Sequence, residues 1–214
     1  VQTNTTVSTT SDIASGNFEQ YEKFAYQFVG IKLLVGISGF IEKADDTIQS
    51  DAKVKPRVAF GAGVRYMLFP NKAVPWCGFI IDFEFNRLGA AKINSLIETH
   101  YDLDYLALNA MWAIKFSGFY GGFGLYVGAP ISQKSVISYP VNSDVDLKDV
   151  FNKWDFGYVM TFGWAFDFKY FKFHIGIDFK IGFLSIVKKD VGRELPAGYK
   201  VNNWALMLYL GFGI

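Results

Sequence analysis

Side chains alternate in bulk so sharply in repeated runs of this chain that each run has one large apolar face and one small one. A period of two places successive side chains on opposite faces of a β-strand. In the first such run, Val29, Ile31, Leu33, Val35 and Ile37 oppose Gly30, Lys32, Leu34, Gly36 and Ser38. The pattern recurs about eight times. Further runs set Val58 to Leu68 against Arg57 to Met67, Cys77 to Phe85 against Trp76 to Glu84, Leu106 to Ile114 against Tyr105 to Ala113, and Phe123 to Val127 against Gly122 to Gly128. The three remaining runs set Phe156 to Phe166 against Asp155 to Asp167, Phe171 to Phe183 against Lys172 to Gly182, and Trp204 to Ile214 against Asn203 to Gly213. Several exceed the roughly 9 to 11 residues that a tilted strand needs to cross a bilayer.

Alternation alone also suits a soluble lipocalin-like barrel with its apolar face inward. Volume separates the two readings. An eight-stranded barrel has an interior just wide enough for side chains to fill. The Gly/Ala-rich face fits that space, and the face of Phe, Ile, Leu and Trp does not. The bulky face therefore points outward, where only hydrocarbon tolerates it, and closure satisfies the backbone polar groups. The expected fold is an all-β, eight-stranded antiparallel transmembrane up-and-down β-barrel. No stretch reaches the roughly 20 apolar residues of a membrane helix.

The links support this reading. FPNKAVP, KFSG and FKY are short; those around residues 41 to 56, 87 to 103, 130 to 153 and 185 to 202 read as long. Outer-membrane barrels alternate short periplasmic turns with longer external loops, which puts both chain ends on the periplasmic side. Residues 1–22 read as a polar, disordered periplasmic leader, and 23–214 as the barrel. The Thr/Ser-rich start lacks the charged and apolar regions of a secretory signal, so the expectation is an exported protein with its signal peptide removed.

From about residue 103 onward the segments LDYLALNAMWAIKF, GFYGGFGLYVGAP and KWDFGYVMTFGWAFDFKYFKFHIGIDFKIGF resemble the porin-like outer membrane beta-barrel domain family, related in architecture to the OmpA/OmpX-type small barrels. The resemblance lies in strand rhythm, in a Gly-rich fifth strand and in Asp155-Phe156-Gly157 opening the sixth. The ending WALMLYLGFGI resembles the signal read by the barrel-assembly machinery, with Ile214 in place of the usual terminal aromatic. The resemblance implies a bacterial outer-membrane location and contact with that machinery during biogenesis. It implies no activity.

The face expected inward carries Lys32, Arg57, Arg65, Lys172 and Lys180 against Asp82, Glu84, Asp155, Asp167 and Asp178, with His174 among them. Opposite charges in a narrow lumen pair, because an unpaired buried charge costs several kcal/mol. The expected outcome is a salt-bridged plug; the alternative is a charged constriction in a narrow pore. Asp82 and Glu84 are two residues apart on one face, a spacing open to acid/base use, but either Arg57 or Arg65 on the adjoining strand offers them a simpler partner. His174 invites comparison with lipid-modifying barrel enzymes. Asp178 lies on the same strand face, roughly 13 Å away at the usual rise, too far to form a dyad with it, and an inward histidine does not face lipid. His100 has no metal-ligand partner at recognisable spacing.

Trp154 and Trp204 are the expected interface aromatics, within a girdle set that includes Trp76, Trp112 and Trp164. Cys77, the only cysteine, excludes an intramolecular disulfide and is expected to pack. The formal charge of +1 is scattered, which argues against nucleic acid. No phosphate loop, nucleophile elbow or metal motif is present, and no cofactor is expected. The expected protein is a non-enzymatic monomer whose partners are outer-membrane lipid and an extracellular ligand held by the long loops. A narrow channel for small solutes and an acyl-modifying enzyme are the alternatives.

Overall fold

A computed structural model of the chain describes residues 26–43, 53–70, 77–94, 97–137, 143–146, 150–188 and 200–214. The strands are β1 (Tyr26–Lys43), β2 (Lys53–Phe69), β3 (Gly78–Asn94), β4 (Ile97–Phe116), β5 (Phe119–Ile137), β6 (Ser143–Asp146), β7 (Asp155–Asp167), β8 (Lys172–Gly182) and β9 (Lys200–Gly213). Eight of them close a ring. Its order is β4, β3, β2, β1, β9, β8, β7, β5, with β5 pairing back onto β4, and every pairing is antiparallel. The seam between the first and last strands is completed at the chain end, where Val29 and Ile214 exchange both backbone hydrogen bonds at 3.0 Å.

Volume asymmetry resolves the facing as expected. Ile31, Leu33, Val35, Phe83, Leu125, Phe162 and Leu208 face outward and are exposed, while Lys32, Arg65, Asp82, Glu84 and Asp178 are buried inside. An apolar exterior around a charged interior is the arrangement of a membrane-spanning barrel, the inverse of a soluble one. The glycines make room for inward tyrosines. A Cβ on Gly163 would stand 2.3 Å from the Tyr209 hydroxyl, and one on Gly176 2.4 Å from it.

The short-turn end is tight. The β4–β5 hairpin turns on Ser117 and Gly118, with Ser117 at a positive φ of 54°. The opposite end differs from the expectation of four long links. Residues 87 to 103 are hairpin arms: β3 pairs with β4 continuously as far as Asn94↔Ile97. Residues 130 to 153 likewise begin as strand, since β5 runs on to Ile137 and pairs with the short β6. Beyond the bilayer no lipid selects a bulky outward face, so the arms keep ladder hydrogen bonds without the alternation that betrays a strand in sequence. Residues 1–22, the expected leader, lie outside the described residues.

Candidate functional site: a layered, ion-paired lumen

The lumen is filled in layers. At the short-turn end, Phe28, Met67, Phe69 and Ile80 are buried, with Phe28↔Met67 and Met67↔Ile80 adjacent in register. At the other end, Leu88, Leu103, Phe151, Ile186 and Val201 form a second apolar layer. Two segments fold in to make it: Phe151 bridges to Val187, and the Ile186 amide donates to the Val201 carbonyl at 2.8 Å.

Between these layers lies one charged cluster. The Lys32 ammonium, fully buried, donates to Asp82 at 2.8 Å, to Glu84 at 2.5 Å and to Asp178. Arg65 clamps Asp82 with two parallel bonds, Nε to Oδ1 and Nη2 to Oδ2, both 2.7 Å. The register causes this, because Arg65 lies directly opposite Asp82 on β3. A bidentate guanidinium–carboxylate pair is among the stronger charge-assisted arrangements. Lys180 donates to the second oxygen of Glu84, and Thr161 donates to Asp178 at 2.7 Å. Three cations thus face three carboxylates across the lumen, and the six charges cancel. Tyr209 lies beneath them, with Arg65 4.4 Å and Lys32 4.9 Å from its ring centre. Pairing of this kind offsets a large desolvation cost, which makes the cluster sensitive to loss of any one member.

The carboxylates of Asp82, Glu84 and Asp178 each offer an oxygen within 4.8 Å of the others, a spacing that could hold a metal ion. Lys32 occupies that position. Its ammonium bonds to all three, so the donor set is already saturated by a side chain and does not fit a resident metal.

Six of the residues expected to form one lumen network do so: Lys32, Arg65, Asp82, Glu84, Asp178 and Lys180. The other five do not. Arg57 pairs with Asp102 near the long-link end, both partly exposed, because it lies eight residues along β2 from Arg65 and so far from Asp82 and Glu84 in register. Asp155 is buried but bonds to neutral groups, accepting from Tyr126 at 3.1 Å and from the Asn203 amide. Asp167 is exposed at the short-turn end, and Lys172 there donates to the Gln27 carbonyl. His174 sits apart from the acids. Its Nε2 is 2.8 Å from the Tyr26 hydroxyl, its Nδ1 3.2 Å from the Tyr120 hydroxyl, and its ring stacks on Phe28 at 4.0 Å. It is an aromatic packing residue held by two phenols, with no carboxylate or serine among those partners. Tyr120, Thr161, Asn86 and Asn203 complete these networks and escaped the sequence reading, since neutral inward residues carry no charge to mark them.

Trp154 and Trp204 face outward toward the long-link end, Trp204 lying against Gly39. Trp112 and Trp164 are exposed near the short turns, opposite Phe79 and Phe119 in register. Aromatics thus flank the apolar band at both edges, as interfacial rings do; Trp76 lies outside the described residues. Cys77, expected to pack, is exposed at the foot of β3. Above the band, Arg87 clamps Asp104 through two bonds of 2.6 and 2.9 Å.

No protein-family model matches the chain, and no curated protein matches it. Solved structures with a similar course include Ail, the attachment invasion locus protein of Yersinia pestis, at 17% identity, covering 88% of this chain and 99% of that one with a TM-score of 0.42. Neisserial surface protein A (NspA) is 10% identical over 89% of this chain and 99% of its own, with a TM-score of 0.45. The outer membrane protein OprG from Pseudomonas aeruginosa is 11% identical over 89% and 96%, with a TM-score of 0.44. The chain's own strand pairing, outward apolar band and filled interior make it an eight-stranded antiparallel transmembrane β-barrel, with the architecture of the small OmpA/OmpX-type barrels.

Proposed function

We propose that this is a non-enzymatic outer-membrane protein that acts through what it holds outside the bilayer, in surface binding or in support of the envelope. The observation that carries this reading is the lumen: a neutral six-residue ion cluster spans it, with apolar layers above and below. Solute passing through would have to break pairs that bury each other's charge, which argues against the channel alternative. His174, the residue that suggested an acyl-modifying enzyme, is buried in the lumen against Tyr26 and Tyr120 instead of facing lipid, which argues against that alternative. Among the described residues, the sheet of β2, β3, β4 and β5 continues past the Arg87–Asp104 pair and offers a partner a support of the kind on which binding surfaces sit.

Single-channel recording of the refolded protein in a planar bilayer tests this, with Lys32→Ala and Asp82→Ala beside the wild type. The expected wild type is silent. Stable wild-type openings whose size changes in either variant would refute the plug and restore the channel. Replacing residues 90–101 with a short turn should abolish any surface binding while the barrel still folds.

A further inference from the structure

We propose that the outward face of β2 and β3 at the long-link end holds the phosphate headgroup of a membrane lipid, with the lipid's acyl chain on the apolar column beside it. β2 presents that column as Val64, Phe60 and Val58, which are 49%, 47% and 71% exposed in order toward the long-link end. Cations follow at once. Lys55 and Lys53 are exposed and stand opposite Ala91 and Ile93, which continue the outward face of Arg87 and Gly89 along β3. Arg57 lies on the same face. It crosses Gly89, where an added Cβ would stand 3.7 Å from Arg57 Cδ, to reach Asp102 directly opposite that glycine. Arg87 sits over the Phe60 ring, 5.5 Å from its centre, so the cations begin where the apolar band ends.

Charge selects an anion, and position selects a lipid. Arg57 and Arg87 are each paired, with Asp102 and Asp104, but Lys53 and Lys55 have no ion pair among the described residues. Glu98, a further carboxylate of this face, lies two strands from Lys53 and beside His100 at 3.6 Å. The unmatched positive charge is therefore concentrated on β2. Arg57 uses only Nη1 on Asp102, which leaves further N–H donors on its guanidinium. Ammonium and guanidinium groups are the side chains that recognise phosphate oxygens. A soluble anion would meet the cations alone, whereas a phosphorylated lipid also covers Val58 and Phe60, apolar surface that water leaves at a cost. Cations just beyond a hydrocarbon band attract anionic headgroups in the same way. The lipid site depends on the outward facing of this band, not on a partner held beyond the bilayer, so either can fail alone.

Native mass spectrometry of the full chain in detergent tests this, titrated with phosphatidic acid or with diacylglycerol of the same acyl chains. The wild type is expected to hold phosphatidic acid about thirtyfold more tightly, the worth of two lysines near a charged lipid surface, and Lys53→Gln with Lys55→Gln should remove that preference. Lys153→Gln with Lys169→Gln takes the same charge from exposed positions elsewhere and should leave it intact. Equal binding of the two lipids by the wild type overturns the proposal, as does an equal loss in both double variants, which would mark general attraction in place of a site. Inorganic phosphate that displaces phosphatidic acid at equal concentration would assign the cations to a free anion and overturn it too.

Discussion

Replacing Lys32 with methionine removes one charge from the lumen while keeping the length of the stem, so packing is nearly preserved and electrostatics is isolated. The cluster then holds three carboxylates against Arg65 and Lys180. Asp82 keeps its bidentate arginine and Glu84 keeps Lys180, but Asp178 is left with Thr161 and a long 3.4 Å contact to Arg65. Breaking a buried ion pair by removing one partner costs about 3–5 kcal/mol, or about two to four powers of ten in the folding equilibrium. Urea unfolding of the barrel in lipid vesicles, followed by tryptophan fluorescence, reads this directly. The partner test is Lys32→Met with Asp178→Asn, which restores neutrality by removing the acid that lost most. It should recover most of the loss, a strong departure from additivity. A Lys32→Met barrel as stable as the wild type, or a double variant weakened by the sum of the two singles, would refute the account of a mutually neutralised cluster.

Two further substitutions test the barrel itself. Leu208, 57% exposed in the middle of β9, faces lipid, so Leu208→Arg should destabilise the vesicle-embedded protein by about 2–4 kcal/mol, as cations do near the bilayer midplane. Ser117 holds a positive φ of 54° in the β4–β5 turn, and Ser117→Gly should stabilise by about 0.5 kcal/mol if relief of that strain exceeds glycine's added unfolded-state entropy. The same unfolding titration measures both, and a neutral Leu208→Arg would contradict the outward facing.

Much of this molecule is written in the period and volume of its side chains. Alternation at Val29 to Ser38 and Phe171 to Gly182 specifies strands, and the mismatch between a narrow interior and bulky apolar faces specifies which side turns out. Both follow from local geometry and from the space inside eight strands, which a sequence carries in full. Adjacent-strand register brought Arg65 to Asp82, a pair 17 residues apart for which the sequence alone leaves Arg57 as an equal partner. The sequence also misled at residues 87 to 103, where strands outside the bilayer lose the lipid that enforces alternation.

Tertiary structure alone decided the rest. Lys32 meets Asp178 across 146 residues of chain, and Lys180 meets Glu84 across 96, contacts that depend on the barrel's diameter and stagger. Those quantities emerge only when the ring closes, so ten inward charges of known position remained unpaired on paper. Closure sorted them into six that neutralise one another, three at the mouths, and Asp155 beside an open cavity. A strand's period dictates which way each charge points, whereas the opposite wall of the barrel dictates what it meets.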